Sequence, residues 1–139
     1  MPTTGPGILG VYETVLYASD PAAAAGFYRD VLGLQQLGRD DHPAVFRLSD
    51  GNVLLIFDPR VSSEPGRPVP SHGTAGPGHA AFRLDPGAYD AALAALRDTG
   101  IAIEREVDWE RGRSLYLRDP AGNSVELVDG DIWPLASVD

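Results

Sequence analysis

The stretch DPAGNSVEL, Asp119–Leu127, decides the fold. Asp-Pro and Gly-Asn are turn formers. After them Val125 and Leu127 alternate with Ser124 and Glu126, the period-2 pattern of a half-buried strand. The apolar pair faces a core. Glu126 projects from the opposite face, where a carboxylate needs water, a cation or a donor. An echo lies at Asp50–Asp58, DGNVLLIFD, where Leu55 stands four places after Gly51, as Glu126 stands four after Gly122. Two copies of one motif carry different chemistry at matching positions.

Working outward, each copy is predicted as strand, helix and three strands. The first has a strand at Ile8–Ser19, with Thr14, Leu16 and Ala18 on one face and Glu13, Val15 and Tyr17 on the other. Asp20-Pro21 is a helix start, Ala24, Phe27, Tyr28 and Val31 form the apolar stripe, and Gly33 ends it. Strands follow at Leu34–Gly38, Ala44–Leu48 and Asn52–Phe57. The second copy has a strand at His79–Leu84, a helix started by Asp85-Pro86 and ended by Gly100, and strands at Ile101–Val107, Ser114–Leu117 and Ser124–Val128. Between the copies, Pro59–Pro77 holds too much Pro and Gly for a regular element and reads as a linker. The expected organisation is a single domain of two modules, 8–58 and 78–129, joined by residues 59–77. Met1–Gly7 reads as a loose tail. In the tail Asp131–Asp139, Trp133 is expected to dock on the surface.

Composition narrows the function. A net charge of −9 argues against nucleic acid and anionic membrane. The absence of cysteine removes disulfides, zinc–thiolate sites and a thiol nucleophile. No apolar run reaches membrane-span length, and MPTTGPG lacks the basic start and apolar core of a signal peptide. A cytoplasmic protein with a small-molecule partner is the expectation.

Glu13 precedes Asp20 by seven places and His79 precedes Asp85 by six, and if the two copies pack as one unit they occupy equivalent places on the two first strands. Leu55 and Glu126 do so on the two last strands. Two curved sheets with helices outside would turn these positions into one concavity. Glu13, His79 and Glu126 are candidate metal ligands, a hard set suited to Mn, Fe(II), Mg, Ni or Zn. Two carboxylates balance a divalent cation, and three protein ligands leave positions open for substrate. Singly, each residue also reads as a solvated rim group; the internal symmetry is what joins them. Tyr17, Tyr116 and Arg118 share faces with these ligands by alternation, and Tyr116 is a candidate proton donor or a filler of the concavity. Arg113 and Ser114 are placed at the mouth of a strand, where they could hold an anionic group. Phe57 and Trp109 could wall the site, and His72 in the linker could close over it or lie exposed.

The stretches YETVLYASDPAAAAGFYRDVLGL, GPGHAAFRLD and RSLYLRDPAGNSVEL resemble the vicinal oxygen chelate superfamily of glyoxalases, bleomycin resistance proteins and extradiol dioxygenases over residues 8–129. The resemblance implies an α+β fold of two paired βαβββ modules forming a cupped mixed sheet with helices outside. It also implies a homodimer and a divalent-metal enzyme of lyase, isomerase or dioxygenase type, with Glu126 as its last-strand ligand; Glu126, and Tyr116 by its place on the shared face, are the expected catalytic residues. Glu13 stands where the family commonly has His, and Leu55 stands where glyoxalase I has a fourth ligand. The alternative is a non-catalytic protein that sequesters a small molecule such as an antibiotic in the same groove.

Overall fold

A computed structural model describes residues 5–49, 51–133 and 135. In the first half β1 is Glu13–Tyr17, β2 Gln35–Leu37, β3 Ala44–Arg47 and β4 Val53–Phe57, ordered β1-β4-β3-β2. In the second half β5 is His79–Arg83, β6 Arg105–Trp109, β7 Gly112–Arg118 and β8 Ser124–Gly130, ordered β5-β8-β7-β6. Each sheet has one parallel pair, β1 with β4 or β5 with β8, and is otherwise antiparallel. The fold is therefore the expected α+β arrangement of two βαβββ halves.

The registers repeat. Val15 lies beside Leu55 and Ala81 beside Glu126, while Glu13 lies beside Val53 and His79 beside Ser124. β1 is shorter than predicted, because its partner strand begins only at Val53. Upstream, Ile8, Leu9, Val11 and Tyr12 are exposed.

Helix α1, Pro21–Gly26, opens as its sequence demands, with the Asp20 carboxylate accepting from Ala23 N at 3.1 Å and Pro21 in the first turn. It runs on as a π-helical turn, Phe27–Val31, marked by the wide bond from Leu32 N to Phe27 O. The same Asp-Pro signal starts α2, Pro59–Ser62, inside the segment expected to hold no regular element. Asp58 caps it through Arg60 N at 2.9 Å. Helix α3, Tyr89–Asp98, starts later than Asp85-Pro86 suggested. Gly87 has φ +83°, which no right-handed helix accommodates, so Asp85–Ala88 is a turn leading into the helix.

The inward faces of both sheets join with α1 and α3 in one core. Leu16, Phe46, Leu54 and Ile56 from the first half meet Leu93, Leu115, Leu117 and Val125 from the second. Alternation leaves the other face of each sheet free, and those faces carry the candidate chemistry.

Candidate metal and substrate site

In the second half, the free face of β5, β8 and β7 gathers His79, Glu126 and Tyr116. The His79 Nε2 and Glu126 Oε1 atoms are 3.3 Å apart. His79 Nδ1 lies 3.1 Å from the Ser124 carbonyl. A carbonyl only accepts, so this bond places a proton on Nδ1. Nε2 faces a carboxylate oxygen. Two electron-rich atoms at this distance call for a proton or a cation between them.

Glu126 is only 6% exposed, and a carboxylate so deep needs fixed partners. Ser114 supplies one, donating its hydroxyl proton to Oε2 at 2.5 Å. Trp109 Nε1 in turn donates to Ser114 Oγ at 2.8 Å, which orients that hydroxyl. Oε2 is thus occupied and Oε1 is left facing His79. This is how a ligating carboxylate is held from behind. The Tyr116 ring stacks with that of His79, centroids 6.4 Å apart. Burial, then the adjacent Glu126 carboxylate, raises its phenol above the ordinary tyrosine range, so it keeps its proton.

These groups open into a groove of about 520 Å³, with Trp109 on one wall and Trp133 on another. Trp133 is 71% exposed and stands at the rim of the groove.

The other predicted residues lie elsewhere. Glu13 is exposed on β1 of the first sheet. Among the described residues no three His, Cys, Asp or Glu side chains gather where one ion could bind them all. Tyr17 and Phe57 share the first sheet's free face with Leu55, and His72 folds onto them. Its Nδ1 shares a hydrogen bond with the Tyr17 hydroxyl at 2.6 Å, and its ring meets Phe57 edge-on at 4.7 Å. Arg113 points away from the groove, covering the Tyr89 ring at 3.9 Å and bonding Asp108 and Asp90. Arg118 binds Glu104 and the Gly122 carbonyl beside the groove. The role of Ser114 as the clamp on Glu126 and the place of Trp133 at the groove were not read from the sequence. Only the strand register, which sets Ser114 two places along β7 from Tyr116, could have pointed to the first.

Residues 10–127 match the Glyoxalase/Bleomycin resistance protein/Dioxygenase superfamily. The chain belongs to this superfamily. It is 35% identical over 102 residues to a catechol-2,3-dioxygenase of Bacillus subtilis, a match covering 73% of this chain and 34% of that protein. The chain thus spans about a third of that relative's length. A crystal structure of lactoylglutathione lyase from Agrobacterium tumefaciens superposes with a TM-score of 0.84 at 38% identity, covering 91% of this chain and 98% of that one. A glyoxalase/dioxygenase from Nostoc punctiforme gives 0.68 at 28% identity, covering 94% and 97%. Membership of the superfamily makes an enzyme acting on a small molecule plausible, and the donor set of His79 and Glu126 fits a divalent ion as two of its protein ligands. No helix among the described residues is long and apolar enough to cross a membrane.

Proposed function

We propose that the protein is a divalent-metal enzyme acting on a small oxygen-bearing substrate in the groove over β5, β7 and β8. The observation that carries this reading is His79 Nε2 facing Glu126 Oε1 at 3.3 Å, each side chain held from behind by its own partner. His79 and Glu126 would hold the ion, and Glu13 would complete the set from a second copy of the chain. β1 and β5 are the outer strands of their sheets, so Glu13 and His79 both stand on edges open to another copy. The reading is thus a homodimer, working in the cytoplasm as a chain without cysteine suits.

A divalent ion there supplies Lewis-acid polarisation of a substrate oxygen. The chain supplies the rest. Tyr116 presents a phenolic proton to the groove and donates it, or a hydrogen bond, to developing negative charge. Ser114 keeps Glu126 from swinging out of place. Trp109 and Trp133 shield the substrate from water. Leu55, at the place equivalent to Glu126, offers no donor, and that favours a site with open positions over a four-ligand glyoxalase I centre. The lyase and the dioxygenase among the relatives keep both reaction types in view.

The test is metal content of natively purified protein. About one divalent ion per chain is expected in the wild type, and none in His79→Ala. Absence of metal even after incubation with Mn, Fe, Ni and Zn would overturn the reading. Turnover screens under air and under nitrogen then separate oxygenation from isomerisation or lysis. The indoles of Trp109 and Trp133 lining the groove favour a second reading, a protein that sequesters an apolar small molecule. Its signature is ligand affinity that survives chelation.

A further inference from the structure

The turn that opens DPAGNSVEL is more than a reversal of the chain. Asp119 and Asn123 are 4% and 2% exposed, and every polar atom of their side chains is engaged. Asp119 Oδ1 accepts from the backbone N–H groups of Ala121 and Asn123 at 2.9 and 2.8 Å. Its Oδ2 accepts from the Tyr28 hydroxyl at 2.7 Å and from Asn123 Nδ2 at 2.8 Å. Asn123 Nδ2 also donates to the Tyr17 carbonyl at 3.1 Å, while its Oδ1 accepts from Gly78 N at 2.7 Å. Among the described residues, the side-chain hydrogen bonds joining residues 8–58 to 78–129 are those from Tyr28 and to Tyr17, and both end on this turn.

The consequence reaches His79. Gly78, held by the Asn123 amide oxygen, is the residue immediately before it. Ser124, the residue immediately after Asn123, donates its N–H to the Gly78 carbonyl at 2.9 Å and offers its own carbonyl to His79 Nδ1. Asn123 therefore sets both the backbone that enters His79 and the acceptor that fixes its tautomer. The amide can do this in one orientation only, with Oδ1 toward Gly78, and the Asp119 carboxylate enforces that orientation by accepting from Nδ2. Gly78 packs closely here: a Cβ on it would stand 3.4 Å from Asn123 Oδ1 and from Leu16 Cδ2.

We infer that Asn123, oriented by Asp119, is the positioning residue for His79: it holds the imidazole as the Nδ1–H tautomer with Nε2 aimed at Glu126. Tyr28 ties this device to the first half without taking part in the aiming. The inference rests on the proposed role of His79 as a ligand, but its first readout does not need the ion.

The experiment compares Asn123→Ala, Asp119→Asn and Tyr28→Phe with wild type. The ¹⁵N shifts of the His79 ring are read in the metal-free protein, alongside thermal melting and the affinity for Co(II). Wild type is expected as the Nδ1–H form. Asn123→Ala and Asp119→Asn are expected to show a mixture with the Nε2–H form and Co(II) affinity reduced about 10- to 100-fold. Asp119→Asn keeps the shape of the turn but sets an amide donor against Asn123 Nδ2, so it serves if Asn123→Ala does not fold. Tyr28→Phe is expected to melt lower with an unchanged tautomer and Co(II) affinity within about twofold, which separates aiming from stability. A wild-type tautomer in every folded variant would overturn the inference. A wild type that takes up no Co(II) would overturn the metal reading instead, and the tautomer would still decide this one.

Discussion

The two free faces share a frame and differ in what they do with it. Leu55 and Glu126 occupy equivalent positions and are equally deep, 9% and 6% exposed. Beside Leu55 stands Val45, and beside Glu126 stands Tyr116. Burying leucine is favourable by about 1.5–3 kcal/mol with no further requirement. Burying a carboxylate is costly until its oxygens are satisfied. The second half meets that cost with Ser114, Trp109 and His79; the first half, with Leu55 and Val45, needs nothing comparable. A carboxylate thus fits at a pleat position without changing the strands, at the expense of a polar scaffold around it. The first half keeps an apolar face topped by the Tyr17–His72 pair and Phe57.

Exchanging the two residues is the harshest way to break this comparison. Glu126→Leu should abolish divalent metal binding while the chain stays folded, with a melting temperature equal to or above wild type, because a buried carboxylate has been removed. Leu55→Glu should cost about 3 kcal/mol in urea unfolding, since no serine or indole waits for it. An equal penalty for both exchanges would show that the second half's scaffold does not offset the burial of Glu126. Retained stoichiometric metal in Glu126→Leu would remove that residue from the site.

A milder variant sharpens the point. Ser114→Ala leaves Glu126 Oε2 without its donor and Trp109 Nε1 without its acceptor. Metal affinity should fall about 10- to 100-fold by calorimetry, with the fold intact. Affinity within twofold of wild type would mean that Glu126 is held by His79 and the ion alone.

The paired halves were legible because period-2 alternation and Asp-Pro starts recur in both. Spacing matched Glu13 with His79 and Leu55 with Glu126 across the two copies, and of these the structure brings His79 and Glu126 together. What stayed hidden needed three dimensions. Asp58-Pro59 is the same start signal as Asp20-Pro21, yet the Pro and Gly around it masked α2. Asp85-Pro86 looked like a helix start, but Gly87 follows with a positive φ and delays α3 to Tyr89. Arg113 and Ser114 were read together, although adjacent strand residues must face opposite ways: Ser114 clamps Glu126 while Arg113 lies over Tyr89. Glu13 is grouped with the others only if a second copy supplies it, which a single sequence does not specify. His72 was placed in a linker, and its bond to Tyr17 depends on α2, whose Ser62 carbonyl accepts from His72 N at 2.9 Å.

That pair gives a smaller effect within the first half. Tyr17→Phe keeps the ring and removes the hydroxyl that holds His72. Hydrogen exchange of the His72 amide should quicken several-fold, and stability should drop by about 1 kcal/mol. Unchanged exchange would show that α2 alone holds this part of the linker, and that the first face needs no polar tie at all.

The last comparison sets the two helices against each other at high pH. Tyr28, on the π-helical turn that continues α1, and Tyr89, on α3, are both buried and both donate to carboxylates, Asp119 and Glu106. Burial, then the bond to Glu106, pushes the Tyr89 phenol up to about 12; burial and then Asp119 raise Tyr28 still further. In the unfolded chain both titrate near the ordinary value of about 10. Below that pH both states hold the proton and the full stabilisation is present. Above it the unfolded chain releases a proton that the folded chain keeps, so rising pH favours unfolding. For Tyr89 that loss should run from about pH 10 to about pH 12 and then level off, while for Tyr28 it should continue. Unfolding free energies followed across this range should fall less steeply in Tyr89→Phe than in wild type, and the difference should stop growing near pH 12, whereas in Tyr28→Phe it should keep growing. Parallel slopes in all three proteins would mean that neither phenol is held protonated by its place in the fold.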